Sequence, residues 1–324
     1  MSQHEFSIGT RGSALATTQT GHVAVQLHEI SQVAYNTVLV KTEGDVTTGP
    51  LSQLGGTGVF AAALRQALLD GSCDMAVHSL KDLPTTQPDG LLIAATPQRA
   101  DVRDALCARD GLFLAELPEG ATVGTGSPRR KAQLLAFRPD LRIVDIRGNV
   151  GTRLGRVKGS PAQKDDGGVG RTAQGDLDAV ILAAAGLERL GLDSHITEYL
   201  DPEIMLPAPG QGSLAVEVRA AGSGHPSVDT ALETMDDVDT RLAVTAERAL
   251  LARLEAGCAA PIGALATVQG DTLVLDSVAC SPDGSDTMRR SATTQQLTID
   301  GAQALGITLA EQLLREGAAD LAGL

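Results

Sequence analysis

The sequence contains no tryptophan, and aromatic residues of all kinds make up only 2% of its 324 residues. The protein therefore lacks the rows of aromatic side chains on which single-stranded nucleic acids stack. Its cores must be built from alanine, leucine, valine and isoleucine. Hydrophobic residues still account for 43% of the chain, which is enough for packed domains and excludes wholesale disorder.

Cysteines are few and far apart, and none forms a Cys-x-x-Cys pair. They stand at Cys73, Cys107, Cys258 and Cys280. Neither a disulfide framework nor a zinc or other metal site is expected, and a reducing compartment suits such a chain. No uncharged apolar run reaches the roughly 20 residues of a membrane-spanning helix, and the first ten residues lack a secretory signal pattern. We therefore expect a soluble, cytoplasmic protein.

Positive charge is also scarce, since 26 lysines and arginines face 40 acidic residues and the formal net charge is −14. The electrostatic field of so negative a protein disfavours nucleic acid and other large polyanions as partners. A small anionic ligand would need a local basic cluster. Residues 127–158 form one, with seven arginines and two lysines against two aspartates. Because guanidinium groups pair bidentately with carboxylates, this segment predicts a site for a small polyanion.

Short apolar runs alternate with helical patterns through the first two-thirds of the chain, which predicts an α/β fold. The expected strands cover residues 6–10, 38–41, 74–78, 91–95, 122–124, 142–145 and 179–183, and the expected helices cover 14–28, 59–69 and 128–137. Two prolines and two glycines in LPAPGQG (206–212) indicate a shaped crossing between domains. Beyond it, a helix at 241–255, strands at 263–268 and 272–279 and a helix at 302–316 predict a small separate domain. The polar, glycine-rich stretch 159–175 is typical of a surface loop.

A strand, a Gly/Ser/Thr turn and a helix follow one another at residues 8–13, 54–60 and 123–130. The first N–H groups of a helix can bind an anion, but ordinary helix capping explains each turn taken singly, as for Ser127 before Pro128. Arg129 and Arg130 stand where the helix dipole disfavours cations, and a bound anion would reverse that effect; solvated surface arginines are the alternative. If the two bind ligand, removing one should barely lower the stability of the ligand-free protein.

Two further residues are candidates for chemistry. Asp82 ends the segment HSLKD after a predicted strand, where it could stabilise a cation or carry a proton; a surface ion pair with Lys81 is the alternative, and spacing alone favours it. Cys258 lies just past a predicted helix, where an inert buried thiol is the simpler interpretation. Small residues around Cys258 nevertheless leave space for a group attached to its sulfur.

Taken together, these segments resemble the porphobilinogen deaminase family, also called hydroxymethylbilane synthases. The matching stretches occur in family order and cover nearly the whole chain: GTRGSALATTQ (9–19), KTEGD (41–45), DMAVHSLKDLP (74–84), VGTGSPRRKAQL (123–134), DIRGNVGTRL (145–154), LAAAGLERLGL (182–192), LPAPGQG (206–212) and TAERALLARLEAGCAAPIG (245–263).

The resemblance implies two lobes like those of a periplasmic binding protein, with the active site in the cleft between them, and a small α/β C-terminal domain. Domain 1 would comprise residues 1–97 and 213–232, and domain 2 would comprise residues 98–212 with the hinge at 206–212. Domain 3 would comprise residues 233–324 and carry Cys258. Family precedent implies a monomer.

The implied function is that of a transferase of tetrapyrrole (heme) biosynthesis. It would deaminate four porphobilinogen molecules and join them head to tail into hydroxymethylbilane, on a dipyrromethane cofactor bound covalently through Cys258. Asp82 would be the catalytic residue, stabilising the developing positive charge and helping to move protons at the leaving amine. The implied cofactor- and substrate-binding residues are Arg11, Ser13, Gln19, Phe60, Lys81, Thr125, Ser127, Arg129, Arg130, Arg147 and Arg153.

The sequence departs from the family pattern in the loop before Phe60. Many members carry lysines where Gln53 and Thr57 stand here, so the roles of those lysines cannot be carried over. The stretch 159–175 is also longer than usual. Two other functions stay open at this point: a non-catalytic anion-binding protein with the same lobes, and a phosphate-handling transferase. The latter lacks a GxxxxGK[ST] motif.

Overall fold

The computed structural model describes residues 5–40, 59–160, 175–256 and 260–324. Its strands are β1 (Phe6–Thr10), β2 (Tyr35–Leu39), β3 (Met75–Ser79), β4 (Leu91–Ala95), β5 (Asp104–Ala108), β6 (Thr122–Gly124), β7 (Arg142–Val144), β8 (Ala179–Ala183), β9 (Glu198–Leu200), β10 (Leu214–Arg219), β11 (Ile262–Gln269), β12 (Thr272–Cys280) and β13 (Thr287–Thr294). Its helices are α1 (Ala14–Ser31), α2 (Val59–Leu69), α3 (Pro128–Phe137), α4 (Val150–Leu154), α5 (Ala184–Arg189), α6 (Pro226–Met235), α7 (Val238–Arg253), α8 (Ile299–Arg315) and α9 (Ala318–Ala322).

Two five-stranded sheets have the same arrangement of strands. The first has the order β2-β1-β3-β10-β4, and the second has the order β7-β6-β8-β5-β9. In each sheet the first three strands are parallel, and the fourth runs antiparallel to both of its neighbours. Strands β10 and β5, which the sequence analysis did not predict, are these antiparallel strands. The predicted α/β class with two lobes and a smaller C-terminal domain is confirmed.

Local sequence explains where the helices at the cleft begin. Ser13 precedes α1, and its hydroxyl accepts a hydrogen bond from the N–H of Ala16 at 3.3 Å. Ser127 precedes α3 and accepts from the N–H of Arg130 at 3.4 Å, while Pro128 occupies the first helical position. Both serines therefore satisfy helix N–H groups in the ordinary way, and α3 spans the residues that the sequence predicted.

The C-terminal domain is a three-stranded antiparallel sheet, β11-β12-β13, packed against α7 and α8. Its core is aliphatic and contains Leu242, Leu250, Leu273, Leu275, Leu309 and Leu313. Helix α7 begins after Asp237, whose carboxylate accepts from the N–H of Thr240 at 2.8 Å. It ends at Arg253, two residues earlier than predicted, and Glu255 then adopts a left-handed φ of 53°.

Residues 206–212 contact all three parts of the structure. The amide of Gln133 on α3 bonds both backbone groups of Leu206, accepting at 2.8 Å and donating at 3.0 Å. The N–H of Ala264 on β11 donates to the carbonyl of Pro207 at 3.0 Å. Further along, a Cβ on Gly210 would lie 3.3 Å from the backbone nitrogen of Lys81 in the first lobe, so this part of the segment packs closely against the Asp82 loop.

None of the helices in the described ranges combines the length and the apolar character that a membrane-spanning segment requires.

Candidate active site

The chemically interesting residues lie past the carboxyl ends of parallel strands, where ligands bind in open α/β sheets. Strand β1 leads to Arg11 and Ser13, and β3 leads through a 3-10 turn, Leu80–Asp82, to the catalytic candidate Asp82. In the second lobe, β6 leads to the turn 125–127. The parallel arrangement of each sheet therefore brings distant sequence motifs to one edge.

One cavity of the first lobe gathers four of the predicted residues. Its polar lining comes from Arg11, Ser13, Gln19, His78, Ser79 and Asp82. Gln19 is buried, and its amide oxygen accepts a hydrogen bond from the hydroxyl of Ser79 at 3.2 Å. The Asp82 side chain is exposed, so it is accessible to a ligand in this cavity.

A close backbone contact joins the two basic motifs of the second lobe. A Cβ on Gly126 would lie 2.6 Å from the carbonyl oxygen of Ile146, so only glycine permits this approach. The N–H of Thr125 also donates to the carbonyl of Val144 at 3.0 Å. The turn 125–127 and the segment that begins at Arg147 are consequently neighbours. Arg153 lies on α4, and its Nε donates to the carbonyl of Gly148 at 2.7 Å.

Arg129 and Arg130 are buried, with 4% and 6% of their surface exposed. Both pair with the fully buried Asp104 at the start of β5. Arg130 donates from Nε and Nη2 to Oδ1 of Asp104 at 2.9 and 2.7 Å, and Nη2 of Arg129 lies 2.8 Å from Oδ2. They also bind backbone carbonyls: Arg129 donates to Leu206 at 2.6 Å and Arg130 to Ile181 at 3.1 Å.

This pairing corrects the expectation that the two arginines oppose their helix dipole without compensation and can be removed at little cost. Burial alone would raise the pKa of Asp104, but the charges of Arg129 and Arg130 outweigh burial and hold that pKa well below its usual value. The carboxylate is therefore ionised and neutralises one of the two guanidinium charges. The surface-arginine alternative is also wrong. Asp104 was not predicted from the sequence, because Asp104 lies outside the basic segment 127–158.

Gln211 connects this buried cluster to the first lobe. Its side-chain nitrogen donates to Oδ1 of Asp104 and to the carbonyl of Val102, both at 2.9 Å. Its side-chain oxygen accepts from Nζ of Lys81 at 3.3 Å. Burial, followed by the charge of Arg130, lowers the pKa of Lys81 to about 8. Lys81 therefore belongs to the same electrostatic environment as the arginines of the second lobe.

Asp82 interacts electrostatically with one cation of each lobe, Lys81 in the first and Arg153 in the second. Burial, and then the charges of Arg130 and Arg147, lower the pKa of Arg153 to about 10, while Asp82 and Asp145 act in the opposite direction. Burial is the largest of these effects, so the lowered pKa marks a partly desolvated guanidinium with two further arginines and two aspartates in its neighbourhood. A ligand carboxylate would stabilise the charge of that guanidinium. Together with Arg11 in the first-lobe cavity, the site is suited to a small molecule with several carboxylates.

Comparisons with known proteins show which family the chain belongs to. Residues 6–225 match the family model described as porphobilinogen deaminase, dipyromethane cofactor binding domain, and residues 241–315 match the model of the C-terminal domain of porphobilinogen deaminase. The chain belongs to the porphobilinogen deaminase family. A porphobilinogen deaminase of Micrococcus luteus is 56% identical over 98% of this chain and 94% of the relative. That of Cutibacterium acnes is 55% identical over 98% and 96%.

Solved structures similar to this chain include a periplasmic substrate-binding protein of an ABC transporter from Coxiella burnetii. The match covers 71% of this chain and 91% of the transporter protein, at 14% sequence identity and a TM-score of 0.41. A nutrient-binding protein from Burkholderia cenocepacia, bound to methionine, covers 70% and 90%, at 13% identity and a TM-score of 0.38.

Four of the family positions fall where the structure gives no side chain. Cys258, the expected attachment point of the dipyrromethane, lies outside the described residues, as do Gln53 and Thr57. Phe60 is the second residue of α2, but its side chain is likewise not described. The roles of Cys258 and Phe60 stay predictions.

A second buried carboxylate, Glu217 on β10, also went unnoticed in the sequence. It accepts from Nε of Arg65 at 3.1 Å and from Gln87 at 2.8 Å, and its Oε2 lies 3.2 Å from Nε2 of His78. Burial would raise the pKa of Glu217, but the hydrogen bonds from His78 and Arg65 lower it to about 2. Through Arg65, Glu217 thereby holds α2 against the sheet of the first lobe, and it also contacts the cavity-lining His78 on the neighbouring strand β3.

Because Arg129 is buried and paired whereas Arg147 is exposed, the two arginines should differ in their effect on stability. We expect Arg129→Leu to lower the free energy of unfolding by roughly 1.5–3 kcal/mol, because it removes a buried ion pair with Asp104 and a hydrogen bond to the carbonyl of Leu206. Arg147→Leu should stay within about 0.5 kcal/mol, because its ion pair with Asp145 is long, at 3.6 Å, and exposed. Urea denaturation of the two cofactor-free variants would check this. Equal stabilities would contradict the structural role of Arg129.

Proposed function

We propose that the cationic cleft and Asp82 carry out the porphobilinogen deaminase reaction, in which four porphobilinogen molecules lose ammonia and are joined head to tail into hydroxymethylbilane. The observation that supports this assignment is the exposed carboxylate of Asp82 in a cavity that Arg11 also lines, within electrostatic reach of Arg153, which in turn has Arg130 and Arg147 as neighbours. A substrate with two carboxylates per pyrrole matches such a cleft, because each carboxylate offers a bidentate partner for a guanidinium.

The residues present also fit the family's dipyrromethane cofactor. Nε of Arg129 is buried and has no hydrogen-bond partner within the described part of the chain, so a donor remains available beside the basic cluster. Arg129, Arg130, Arg147 and Arg153 would hold the carboxylates of the cofactor, and the hydroxyls of Thr125 and Ser127 would add hydrogen bonds. When bound, the dipyrromethane supplies the pyrrole carbon to which the first substrate unit is joined. Cys258 would carry it covalently.

Asp82 would act on the incoming substrate. When the aminomethyl C–N bond of porphobilinogen breaks, both electrons leave with the nitrogen as ammonia, and positive charge develops on the pyrrole. A carboxylate beside the pyrrole N–H stabilises that charge, and it can hold the proton that moves at the leaving amine. Arg11, Ser13, Gln19 and Lys81 would orient the substrate carboxylates on the first lobe.

A non-catalytic binding protein would need the same cations but not an exposed acid among them. Asp82 therefore favours the enzyme. We further propose that the protein acts as a monomer in the cytoplasm, which size-exclusion chromatography with light scattering and cell fractionation can examine. A dimer at micromolar concentration would contradict the first statement.

A covalently bound cofactor adds a measurable mass to the protein. We expect intact-protein mass spectrometry of the purified chain to show one dipyrromethane above the sequence mass, and Cys258→Ser to lack that increment. Cys280→Ser is the matched control, because Cys280 is buried in β12 and the pKa of its thiol is raised to about 11 by burial. It should keep the added mass. An active wild-type protein without any added mass would contradict the role of Cys258.

A further inference from the structure

A side chain from the C-terminal domain holds the loop that carries Asp82. Arg248 lies on α7, and its guanidinium donates from Nη1 to the carbonyl of Leu83 at 3.2 Å and from Nη2 to the carbonyl of Pro84 at 2.7 Å. These are the two carbonyls that directly follow Asp82 in the chain. Arg248 itself is not among the residues that line the first-lobe cavity.

The loop is fixed on its other side as well. The N–H of Leu80 donates to the carbonyl of Ser213 at 3.0 Å, and the N–H of Leu83 donates to the carbonyl of Leu80 at 3.1 Å. The side chains of Leu80 and Leu83 are buried in one cluster with Val244, which lies one turn before Arg248 on α7. The backbone around Asp82 is therefore immobilised at both ends, while the Asp82 side chain remains exposed.

We propose that Arg248 is a positioning residue for Asp82: its guanidinium fork sets the place of the catalytic carboxylate through the Leu83 and Pro84 carbonyls. This inference rests on the proposed role of Asp82. A planar guanidinium presents its donors at fixed spacing, which a lysine ammonium cannot reproduce. Because a displacement of about 1 Å in a reacting group can cost on the order of 100-fold in rate, the contact acts on turnover without touching substrate.

The same helix supplies a matched control. Arg241, two turns earlier on α7, also donates to two consecutive carbonyls of the first lobe, those of Ile93 at 3.2 Å and Ala94 at 3.1 Å. Its target is β4, away from the Asp82 loop. Arg248→Lys and Arg241→Lys therefore both remove paired carbonyl contacts between α7 and the first lobe. Arg241→Lys also disturbs an ion pair with Asp236, and only Arg248→Lys releases the loop.

The two variants are compared as cofactor-loaded full-length proteins, with loading checked by intact mass. We expect R248K to lower kcat by about 10- to 100-fold with KM within twofold of wild type, and R241K to keep kcat within twofold. A lower melting temperature is expected for both variants, because R241K also disturbs the ion pair with Asp236. Independently of activity, hydrogen exchange of a peptide covering residues 80–84 should be faster in R248K than in R241K. A rise in KM alone, equal kcat values in the two variants, or unchanged exchange would overturn the proposal.

A double-mutant cycle separates this inference from the function on which it rests. If Arg248 acts through Asp82, R248K should cause no further loss of rate in an Asp82→Asn background, whereas independent effects would multiply. Multiplying effects would overturn the positioning role alone. Full activity of Asp82→Asn would instead overturn the proposed function, and this inference with it. Arg248→Gln is made in parallel in case R248K unfolds; failure of both to fold, while R241K folds, would show a purely structural role and overturn the proposal.

Discussion

Asp82→Asn should reduce the turnover of porphobilinogen by on the order of 10²–10³, the usual cost of removing one well-placed electrostatic group. The substitution keeps the shape of the side chain and removes its charge. Since Asp82 is exposed, we expect the melting temperature to stay close to that of wild type. A single-turnover assay with the cofactor-loaded protein would measure the rate of the first addition.

A loss of turnover in Asp82→Asn could also arise indirectly, through a change in the charge of Lys81. Asp82 raises the pKa of Lys81, which burial and Arg130 lower to about 8. Removing Asp82 therefore lowers that pKa further and leaves more of Lys81 neutral near pH 8. If the loss arose through Lys81, lowering the pH would restore its charge and the rate. We expect no such recovery between pH 8 and 6.5, because the charge of Asp82 itself is missing.

Asp104→Asn should destabilise the protein more than any other single substitution considered above, by about 3–5 kcal/mol, the usual cost of breaking a buried ion pair. It leaves Arg129 and Arg130 buried together without their shared carboxylate. Asp145→Asn is the matched control, because Asp145 pairs with the exposed Arg147 at 3.6 Å. Urea midpoints of the two variants would decide. A loss from Asp104→Asn no larger than that from Asp145→Asn would contradict the structural role of the cluster.

The difference in unfolding free energy between wild type and Asp104→Asn should depend on pH, because it depends on the ionisation of Asp104. In the folded protein the pKa of Asp104 lies below the usual 3.8, so the stabilisation from the ionised carboxylate is fully present above that pH. It is lost as the pH falls from 3.8 towards the lower pKa of the folded state. We therefore expect a constant gap in stability between wild type and Asp104→Asn above about pH 5, and a narrowing gap below pH 4.

The parallel half of the fold could be predicted from the sequence. Strands at 6–10, 91–95 and 179–183 and helices at 59–69 and 128–137 have the predicted bounds, because the strands are short runs rich in apolar residues and the helices repeat apolar residues at helical spacing. Strand β2 was expected at 38–41 and lies at Tyr35–Leu39 instead. It is an edge strand, and its pairing with β1 decides its limits more than its own residues do.

The antiparallel strands escaped sequence analysis because each contains a buried acid. Asp104 begins β5 and Glu217 interrupts the apolar pattern of β10, and both look like residues of an exposed loop. Their partners are far away in the chain: Arg130 is 26 residues from Asp104, and Arg65 is 152 residues from Glu217. No local pattern reveals that such an acid will be neutralised.

Residue order alone was enough to predict the family, the two-lobed α/β plan with its C-terminal domain, and the motifs that supply Asp82, Cys258 and the arginines. These depend on local residue order, which a motif preserves. Which charges meet depends instead on the three-dimensional fold. It paired Arg129 and Arg130 with Asp104, joined Lys81 to that cluster through Gln211, and brought Arg248 to carbonyls 165 and 164 residues away. Such pairings depend on where the chain returns in space, and burial then makes them strong because water no longer screens the charges.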